Sequence, residues 1–325
     1  MSAELTGEIG RYSWHQKNWQ LIDTSANLGR LAHAWLLWGA SGLGKVQFAE
    51  KLAKRLLCKN QTGCDRCQSC SWLAQQAHPD FKFLIADKGK KSITIDQVRM
   101  LQSELMMSTM QAGKRVVMLP QANLLNMAAS NALLKILEEP SENIHFILCA
   151  DALQTIPVTI QSRCQSLYFS PASEQQVNAY LEEHHLPTEN ATLLQGAPLR
   201  AEVLLSDDCM NVRQKIIQQF IDLVYKRVSP CIVAESWAQQ PSDFLFEVLY
   251  ALCSDILKIK QCAPIENLCH QSETISLGKL ADFMQHFQIF TIIDKLVQFN
   301  RHIGAARQIN VRLWLDDLAI YIVTG

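Results

Sequence analysis

The chain has 325 residues, more than a single hydrophobic core usually supports, so we expect two or three domains. Hydrophobic residues make up 48% of it and charged residues 19%, which is typical of a folded protein and argues against long disorder. The formal net charge of −1 excludes a protein whose whole surface grips nucleic-acid phosphates, so any DNA contact should be local or shared with partner chains.

Signals for membrane insertion and export are missing from the sequence. No run of about 18 uncharged apolar residues occurs, and the first residues lack a basic segment followed by an apolar stretch. Of the eleven cysteines, seven are scattered through apolar segments, as Cys149 and Cys253 are, which is typical of small buried thiols. We therefore predict a cytoplasmic, reducing environment.

The first half of the chain alternates short apolar runs with amphipathic stretches, which predicts a parallel sheet covered by helices. Helices are expected from about Val46 to Leu57, from an N-cap at Asp96, and from Met127 to Glu139 before Pro140. The strand candidates are Ala34–Trp38, Phe81–Ile85, Arg115–Leu119, Ile144–Ala150 and Ser166–Phe169.

The pattern changes after Pro171. Ser173 and Gln176 form a capping box that opens a helix, and Gly196 followed by Pro198 marks another helix boundary. From about Asn211 onward, apolar residues recur at helical spacing and strand signals disappear. We predict an α/β domain at 1–170, a small helical domain at 171–208 and an all-helical domain at 209–325.

A glycine loop follows the first strand candidate. The segment from Gly39 to Lys45, which includes Gly42 and Gly44, fits G-x-x-x-x-G-K and lies between a strand and a helix. In such a loop the backbone N–H groups wrap a phosphate, and Lys45 would reach its outer oxygens. The motif in this position indicates a P-loop ancestry.

The residues that would hold Mg²⁺ at this loop are absent. Val46 stands where the motif requires Ser or Thr, and Pro120 with Gln121 follow the third apolar strand where ATPases place carboxylates. Phosphoryl transfer depends on positioning and charge neutralisation, so losing both metal supports should cost orders of magnitude in rate. We expect a loop kept for its strand-to-helix turn, with weak anion binding left open.

Four cysteines lie within thirteen residues, at Cys58, Cys64, Cys67 and Cys70. Two overlapping C-x-x-C steps with a fourth sulfur nearby can close a tetrahedral shell around Zn²⁺ and leave no position for a reactive water. We predict a structural zinc site rather than a redox motif, which would require one C-x-x-C at a helix start. His78 is an alternative ligand, but a helix-end role before Pro79 fits it better.

Several segments in the right order resemble AAA+ clamp-loader subunits of bacterial DNA polymerase III. Four cysteines after the P-loop helix resemble the zinc module of that family. The remaining matching segments are His78-Pro79-Asp80, Ile93 to Arg99, Ser130 to Pro140, Ser162-Arg163-Cys164 and Ile309 to Leu313. The resemblance covers most of the chain and implies an AAA+ domain, a helical lid domain and a helical collar domain.

The resemblance also implies a role. This family forms a pentameric loader, with gamma/tau and delta subunits, that opens the ring-shaped β sliding clamp and places it on primed DNA. The gamma/tau type hydrolyses ATP, whereas the delta-prime type commonly has a decayed nucleotide site. Val46, Pro120 and Gln121 depart from the hydrolysing type and favour delta-prime.

Arg163 is the candidate catalytic residue. By resemblance it is an arginine finger that acts on ATP held by a neighbouring subunit, and an always-charged guanidinium suits that task. From the residue alone, an arginine that pairs a nearby carboxylate is an equal alternative. Arg200 lies near a nucleotide-sensing position of the family, but its offset after Pro198 favours a solvated helix residue.

The sequence favours one of three functions. The preferred one is a non-hydrolysing clamp-loader subunit that supplies Arg163 to its neighbour. The alternative is an ATP-hydrolysing motor of the gamma/tau kind, which Val46 argues against. A zinc-finger nucleic-acid binder would require clustered basic and aromatic residues around the cysteines, and that loop offers only Lys59 and Arg66 as basic groups.

Overall fold

The computed structural model describes residues 12–105, 113–139, 143–304 and 310–325. Two compact units make up the fold: Met1–Gln176 with Ala197–Leu199, and Val177–Gly196 with Arg200–Gly325. The finer three-domain division remains a prediction. Within the described ranges, every helix is too short or too polar to cross a bilayer. Pro140 and Ile309, which belong to two of the family-like segments, lie outside these ranges.

The first unit is built on a five-stranded parallel sheet in the order β2-β3-β4-β1-β5. Strands β1, β3 and β4 have the predicted bounds because both of their faces are buried, which gives continuous apolar runs. β2 ends two residues early and β5 begins and ends one residue early. The strands are β1 (Ala34–Trp38), β2 (Phe81–Phe83), β3 (Arg115–Leu119), β4 (Ile144–Ala150) and β5 (Gln165–Tyr168).

Helices cover both faces of the sheet and create two apolar cores. One core includes Leu36, Phe146 and Leu133, and the other includes Trp35, Ile147 and Phe48. The α-helices that begin within this unit are α1 (Gln16–Asn27), α2 (Lys45–Leu57), α3 (Gln68–Ala74), α4 (Ile95–Leu105), α5 (Met127–Glu138), α6 (Val158–Gln161) and α7 (Glu174–Glu183).

Local hydrogen bonds explain where these helices begin. Ser173 and Gln176 exchange reciprocal bonds of 2.9 and 3.4 Å, which confirms the predicted capping box at α7. The predicted N-cap at Asp96 is wrong, because that residue lies inside the first turn of α4. Thr94 precedes this helix instead, and its backbone N–H donates to Oε1 of Gln97 at 2.9 Å.

Within its described residues, the second unit contains helices and connecting loops but no strand. Its core joins α9, α10, α11 and the last three helices, and it includes Phe220, Trp237, Leu252, Leu315 and Leu318. The α-helices that begin within this unit are α8 (Ala201–Leu204), α9 (Asp207–Val224), α10 (Pro230–Ala238), α11 (Ser242–Lys260), α12 (Thr274–Phe283), α13 (His286–Gly304) and α14 (Val311–Thr324). The predicted absence of strands after Asn211 thus holds for the described residues.

Some large apolar side chains of the second unit do not enter this core. Phe283, Phe287 and Leu313 are 57%, 75% and 67% exposed, whereas Leu315 and Leu318 are fully buried. The apolar residues of these helices therefore form two sets, one buried in the core and one exposed on the surface of this chain.

Candidate functional site

The glycine loop lies at the carboxyl edge of the sheet, where ligands of open α/β folds bind. It connects β1 to α2, and Gly39 N–H donates to the carbonyl of Ala150 at the end of β4, at 3.3 Å. Gly42 and Gly44 have φ values of +81° and +82°, which glycine adopts without strain. The loop therefore has the strand–turn–helix setting that the sequence predicted.

The side chain of Lys45 forms hydrogen bonds with the backbone of its own loop. Lys45 Nζ donates to the carbonyl oxygens of Gly39 at 2.7 Å and Ala40 at 2.8 Å, and to Oδ1 of Asp151 at 2.9 Å. Its side chain is only 7% exposed, whereas that of Asp151 is 63% exposed. An ammonium group has three N–H donors, so these three contacts occupy all of them.

Neighbouring segments close over the rest of the loop. The carbonyl of Leu43 accepts from Trp14 Nε1 at 3.0 Å and lies 2.6 Å from His15 Nε2, while the Leu199 N–H donates to the carbonyl of Gly42 at 3.2 Å. Burial lowers the pKa of His15 to about 4; the bond to Leu43 opposes that shift and nearby Lys51 adds to it. A neutral imidazole with its proton on Nε2 thus holds the loop.

The positions that hold Mg²⁺ in P-loop ATPases carry no metal ligand here. Val46 is the second residue of α2, and its side chain packs against the apolar core of the sheet. Pro120 and Gln121 directly follow β3, as the sequence indicated. Asp151, directly after β4, is the carboxylate beside the loop, and it is engaged by Lys45.

The four cysteines come together at the other end of α2. Cys58 follows the last residue of that helix, Cys67 is the N-cap of α3 and Cys70 lies in its first turn. Their Sγ atoms all lie within 4.8 Å of one another, with Cys58 3.5 Å from Cys64 and 3.9 Å from Cys67.

These distances fit a metal centre. A tetrahedral S₄ shell with Zn–S bonds of 2.3 Å requires sulfur–sulfur separations of about 3.8 Å, whereas a disulfide requires about 2.05 Å. All four cysteines are free thiols in the structure. The cluster could therefore hold a metal ion such as zinc through four sulfur ligands.

Local backbone groups prepare part of the cluster for thiolates. Burial acts to raise the pKa of Cys58, but N–H groups of Cys64, Thr62 and Asn60 donate to its sulfur and bring the pKa down to about 5. At Cys67 burial also acts to raise the pKa, but hydrogen bonds from the N–H groups of Cys70 and Lys59 and from neighbouring thiols lower it overall. Burial raises the pKa of Cys70 to about 12, with the neighbouring sulfurs adding to the effect.

His78 is a support for the cysteine module rather than a ligand. Its Nδ1 accepts the N–H of Asp80 at 3.1 Å, so the proton lies on Nε2, which is 2.7 Å from Ser69 Oγ. Ser69 in turn donates to the carbonyl of Leu57 at 2.7 Å. Burial lowers the pKa of His78, although Asp80 opposes the shift, which favours this neutral form.

Arg163 lies between α6 and β5, at the surface of the first unit. Its guanidinium donates to the carbonyl of Thr159 at 2.9 Å, to Ser162 Oγ at 3.3 Å and to Glu138 of α5. The Arg163 side chain is 33% exposed and that of Glu138 is 47% exposed. In the single chain, Arg163 therefore pairs a nearby carboxylate at a solvent-facing position.

Sequence reasoning missed two of these side chains and misjudged a third. Asp151 had a signal, since it is the first residue after the apolar run of β4 and the carboxyl ends of parallel strands share an edge. Ser69 had none, because its role depends on the distant position of His78. Arg200 was expected to be solvated, but it pairs with Glu247 at 2.6 Å in the second unit, and Glu247 is only 16% exposed.

Together, the parallel sheet, the strand–glycine loop–helix turn and the helical second unit define a P-loop protein of the AAA+ class. Two family models cover the chain: "DNA polymerase III, delta subunit" matches residues 14–173, and "DNA polymerase III, delta subunit, C terminal" matches residues 207–324.

Curated relatives agree with these matches. The delta' subunit of DNA polymerase III from Pseudomonas aeruginosa is 28% identical, over 95% of this chain and 96% of that protein. The delta' subunit from Haemophilus influenzae is 32% identical over 77% of this chain and 78% of its own length, and a gamma subunit from Buchnera aphidicola is 32% identical over 50% of this chain and 45% of that one.

A solved structure of a DNA polymerase III gamma subunit-related protein from Thermotoga maritima covers 93% of this chain and 98% of its own, with a TM-score of 0.39 and 13% identity. A likeness this weak adds nothing to the assignment. On the family models and the curated relatives, the chain belongs to the delta' family of DNA polymerase III subunits, which are clamp-loader components.

Proposed function

We propose that this chain is a non-hydrolysing subunit of the replicative clamp loader and that it assists ATP hydrolysis in a neighbouring subunit. The observation that carries the proposal is Val46, whose apolar side chain packs against the core at the position of the Mg²⁺-ligating hydroxyl. Without that ligand, and with Pro120 and Gln121 after β3, the loop lacks the means to hold the metal that phosphoryl transfer requires.

The partners follow from the family. Gamma/tau and delta subunits would complete the loader, which would load the β sliding clamp onto primer–template DNA in the cytoplasm. Phe283, Phe287 and Leu313 on the helical unit are large apolar groups exposed on the single chain, and burial of such groups drives association. They support a collar role for this unit, in line with the three-domain division.

Arg163 would act as the arginine finger. An arginine can leave an exposed carboxylate such as Glu138 at little cost, because surface ion pairs contribute only about 0–1 kcal/mol. On a neighbour's ATP, the same guanidinium would neutralise charge that develops on the transferred phosphoryl group, an effect of about 10³–10⁵ in rate in other systems. Zinc held by the four cysteines would be structural, since no ligand position is left for water.

The test is a reconstituted loader that contains either the wild-type chain or Arg163→Ala, with clamp- and DNA-stimulated ATP turnover as the readout. We expect normal assembly and turnover lowered at least tenfold, with little recovery in Arg163→Lys, which keeps the charge but loses the planar fork. Arg99→Ala is the matched control, because Arg99 is an exposed arginine of the same unit that pairs Asp96. Unchanged turnover in assembled Arg163→Ala complexes would remove this residue from the mechanism.

The isolated chain provides a second test. Wild-type protein, free of contaminating enzymes, should release no phosphate from ATP with Mg²⁺. Metal-dependent turnover by the single chain would instead support the alternative, a motor of the gamma/tau kind.

A further inference from the structure

We infer that Asp151 is the residue that keeps nucleoside phosphates out of the glycine loop, by occupying the place of a phosphate on Lys45. This inference rests on the proposed function, in which the loop does not hydrolyse ATP, and it adds that the wild-type loop does not bind the nucleotide either.

All three N–H donors of Lys45 are already engaged. A P-loop lysine acts on a nucleotide through its N–H donors, which reach the outer phosphate oxygens. Here those donors go to Gly39, Ala40 and Asp151, at 2.7, 2.8 and 2.9 Å. A phosphate could bind Lys45 only by displacing one of these three acceptors. Asp151 is the anionic acceptor, so it competes directly with a phosphate for the positive charge of Lys45.

Asp151 lies directly beside the glycine loop. β1 and β4 are adjacent and parallel, with Trp38 opposite Ala150, so the residue after β4 lies beside the first residue of the loop. Its side chain is 63% exposed while that of Lys45 is 7% exposed. The carboxylate is therefore open to solvent, whereas the ammonium that it contacts is buried.

The carboxylate of Asp151 also opposes a bound anion electrostatically. A carboxylate at this point places negative charge a few ångströms from where phosphate oxygens would lie, and like charges at that separation repel strongly in a partly desolvated site. The backbone of the loop has not lost its form, since Gly42 and Gly44 keep the positive φ values of the turn. The turn itself therefore keeps the form that receives an anion, and the carboxylate on Lys45 opposes one.

The experiment compares the binding of pyrophosphate and of ADP to the full chain, by titration calorimetry at fixed ionic strength. Wild type should show no saturable binding at millimolar ligand. Asp151→Asn keeps the shape and removes the charge, so its affinity for both ligands should rise at least tenfold. Adding Lys45→Met to Asp151→Asn should abolish the gain, because the freed ammonium is what the phosphates bind.

Asp317→Asn is the matched control. Asp317 is also 63% exposed and pairs with a lysine, Lys295, at 2.6 Å, but it lies in the helical unit. Neutralising it changes the net charge by the same amount and should leave binding at the wild-type level. Asp151→Ser, which is smaller, provides a second uncharged variant, and a thermal unfolding curve for each protein shows that it is folded.

The outcomes separate this inference from the proposed function. Wild type that binds ADP within threefold of Asp151→Asn, or two folded uncharged variants that bind no better than wild type, would overturn the inference and leave the non-hydrolysing role standing. ATP hydrolysis by the wild-type chain would overturn the proposed function whatever the binding data show. A gain in binding by Asp151→Asn without phosphate release would support both.

Discussion

The two ends of α2 differ in how complete their ligand-binding groups are. At its first residues, Lys45 is engaged by Asp151, and Val46, at the position of a metal-ligating hydroxyl, packs against the core. Just after its last residue, Cys58 opens a complete set of four sulfur ligands within 4.8 Å of one another.

The difference follows from what each site contributes to folding. A structural metal binds only the folded state, so its binding free energy is also folding free energy, and losing one ligand weakens the fold. A phosphate loop needs its glycine turn for the fold but needs its metal-ligating hydroxyl only for chemistry. Val46 can therefore replace that hydroxyl without structural loss, whereas replacing Cys58 would remove one of four ligands from a metal ion held there.

The largest effect should come from the cysteine end. Cys64→Ser removes one of the four ligands, and we expect zinc content to fall well below one per chain and the free energy of unfolding of the first unit to drop by on the order of 3–5 kcal/mol. Metal analysis of the purified protein and urea unfolding are the measurements.

Cys231→Ser is the control for that experiment, since Cys231 is an exposed thiol of α10, outside the cluster. It should retain both zinc and stability. A wild-type protein that is purified without metal, and whose stability is unchanged by added zinc or by Cys64→Ser, would break the comparison by showing that both ends of α2 are vestigial.

A smaller effect should come from the glycines at the other end. A Cβ on Gly39 would lie 2.4 Å from the backbone oxygen of Phe169, and one on Gly44 would lie 3.0 Å from side-chain atoms of His15 and Tyr12. Gly39→Ala should destabilise the protein by about 2–3 kcal/mol and Gly44→Ala by about 1–2 kcal/mol, as thermal or urea unfolding would measure.

Gly29→Ala separates crowding from backbone strain. Gly29 also has a positive φ, of +64°, but nothing lies within 4 Å of a Cβ placed there, so its cost should be about 1 kcal/mol. If all three alanine variants lost the same free energy of unfolding, close packing would not explain why glycine occupies the loop positions. Phosphate binding would then be the better explanation.

How much of this the sequence could reveal depends on how local each feature is. β1, β3 and β4 were predicted at their true bounds because strands buried on both faces are unbroken apolar runs. The cysteine cluster was predictable because its spacing alone brings the thiols together, at a helix end, in a short loop and in the next helix turn.

Contacts between residues that are distant in the sequence could not be predicted in this way. Lys45 and Asp151 are 106 residues apart in the sequence, and their pairing depends on β4 lying beside β1. The order of the strands in the sheet cannot be read from the pattern of residues along the chain. The contact between Arg200 and Glu247 likewise depends on how α11 packs in the second unit. The error at Asp96 was of another kind, since Thr94 satisfied the capping pattern two residues earlier.

The smallest predicted effect is a pH dependence at the glycine end. An exposed histidine titrates near pH 6.5, whereas burial lowers the pKa of His15 to about 4 in the folded protein. As pH falls from about 6.5, the unfolded chain takes up a proton that the folded chain refuses, so the contribution of His15 is complete above pH 6.5 and declines below it. Between pH 7.5 and 5.5 the loss should be about 1 kcal/mol.

His15→Gln tests this, because glutamine can still donate to the Leu43 carbonyl but does not titrate. Urea unfolding at pH 7.5 and 5.5 should show a pH-dependent loss about 1 kcal/mol smaller than in wild type, while the exposed control His286→Gln should leave the wild-type difference intact. Equal pH dependence in wild type and His15→Gln would mean that folding does not shift the pKa of His15, so that the folded protein carries the charged form at pH 5.5. The glycine loop would then have a cation beside it at that pH. Contact with a neutral His15 could no longer explain the stability of the loop in the absence of a bound phosphate.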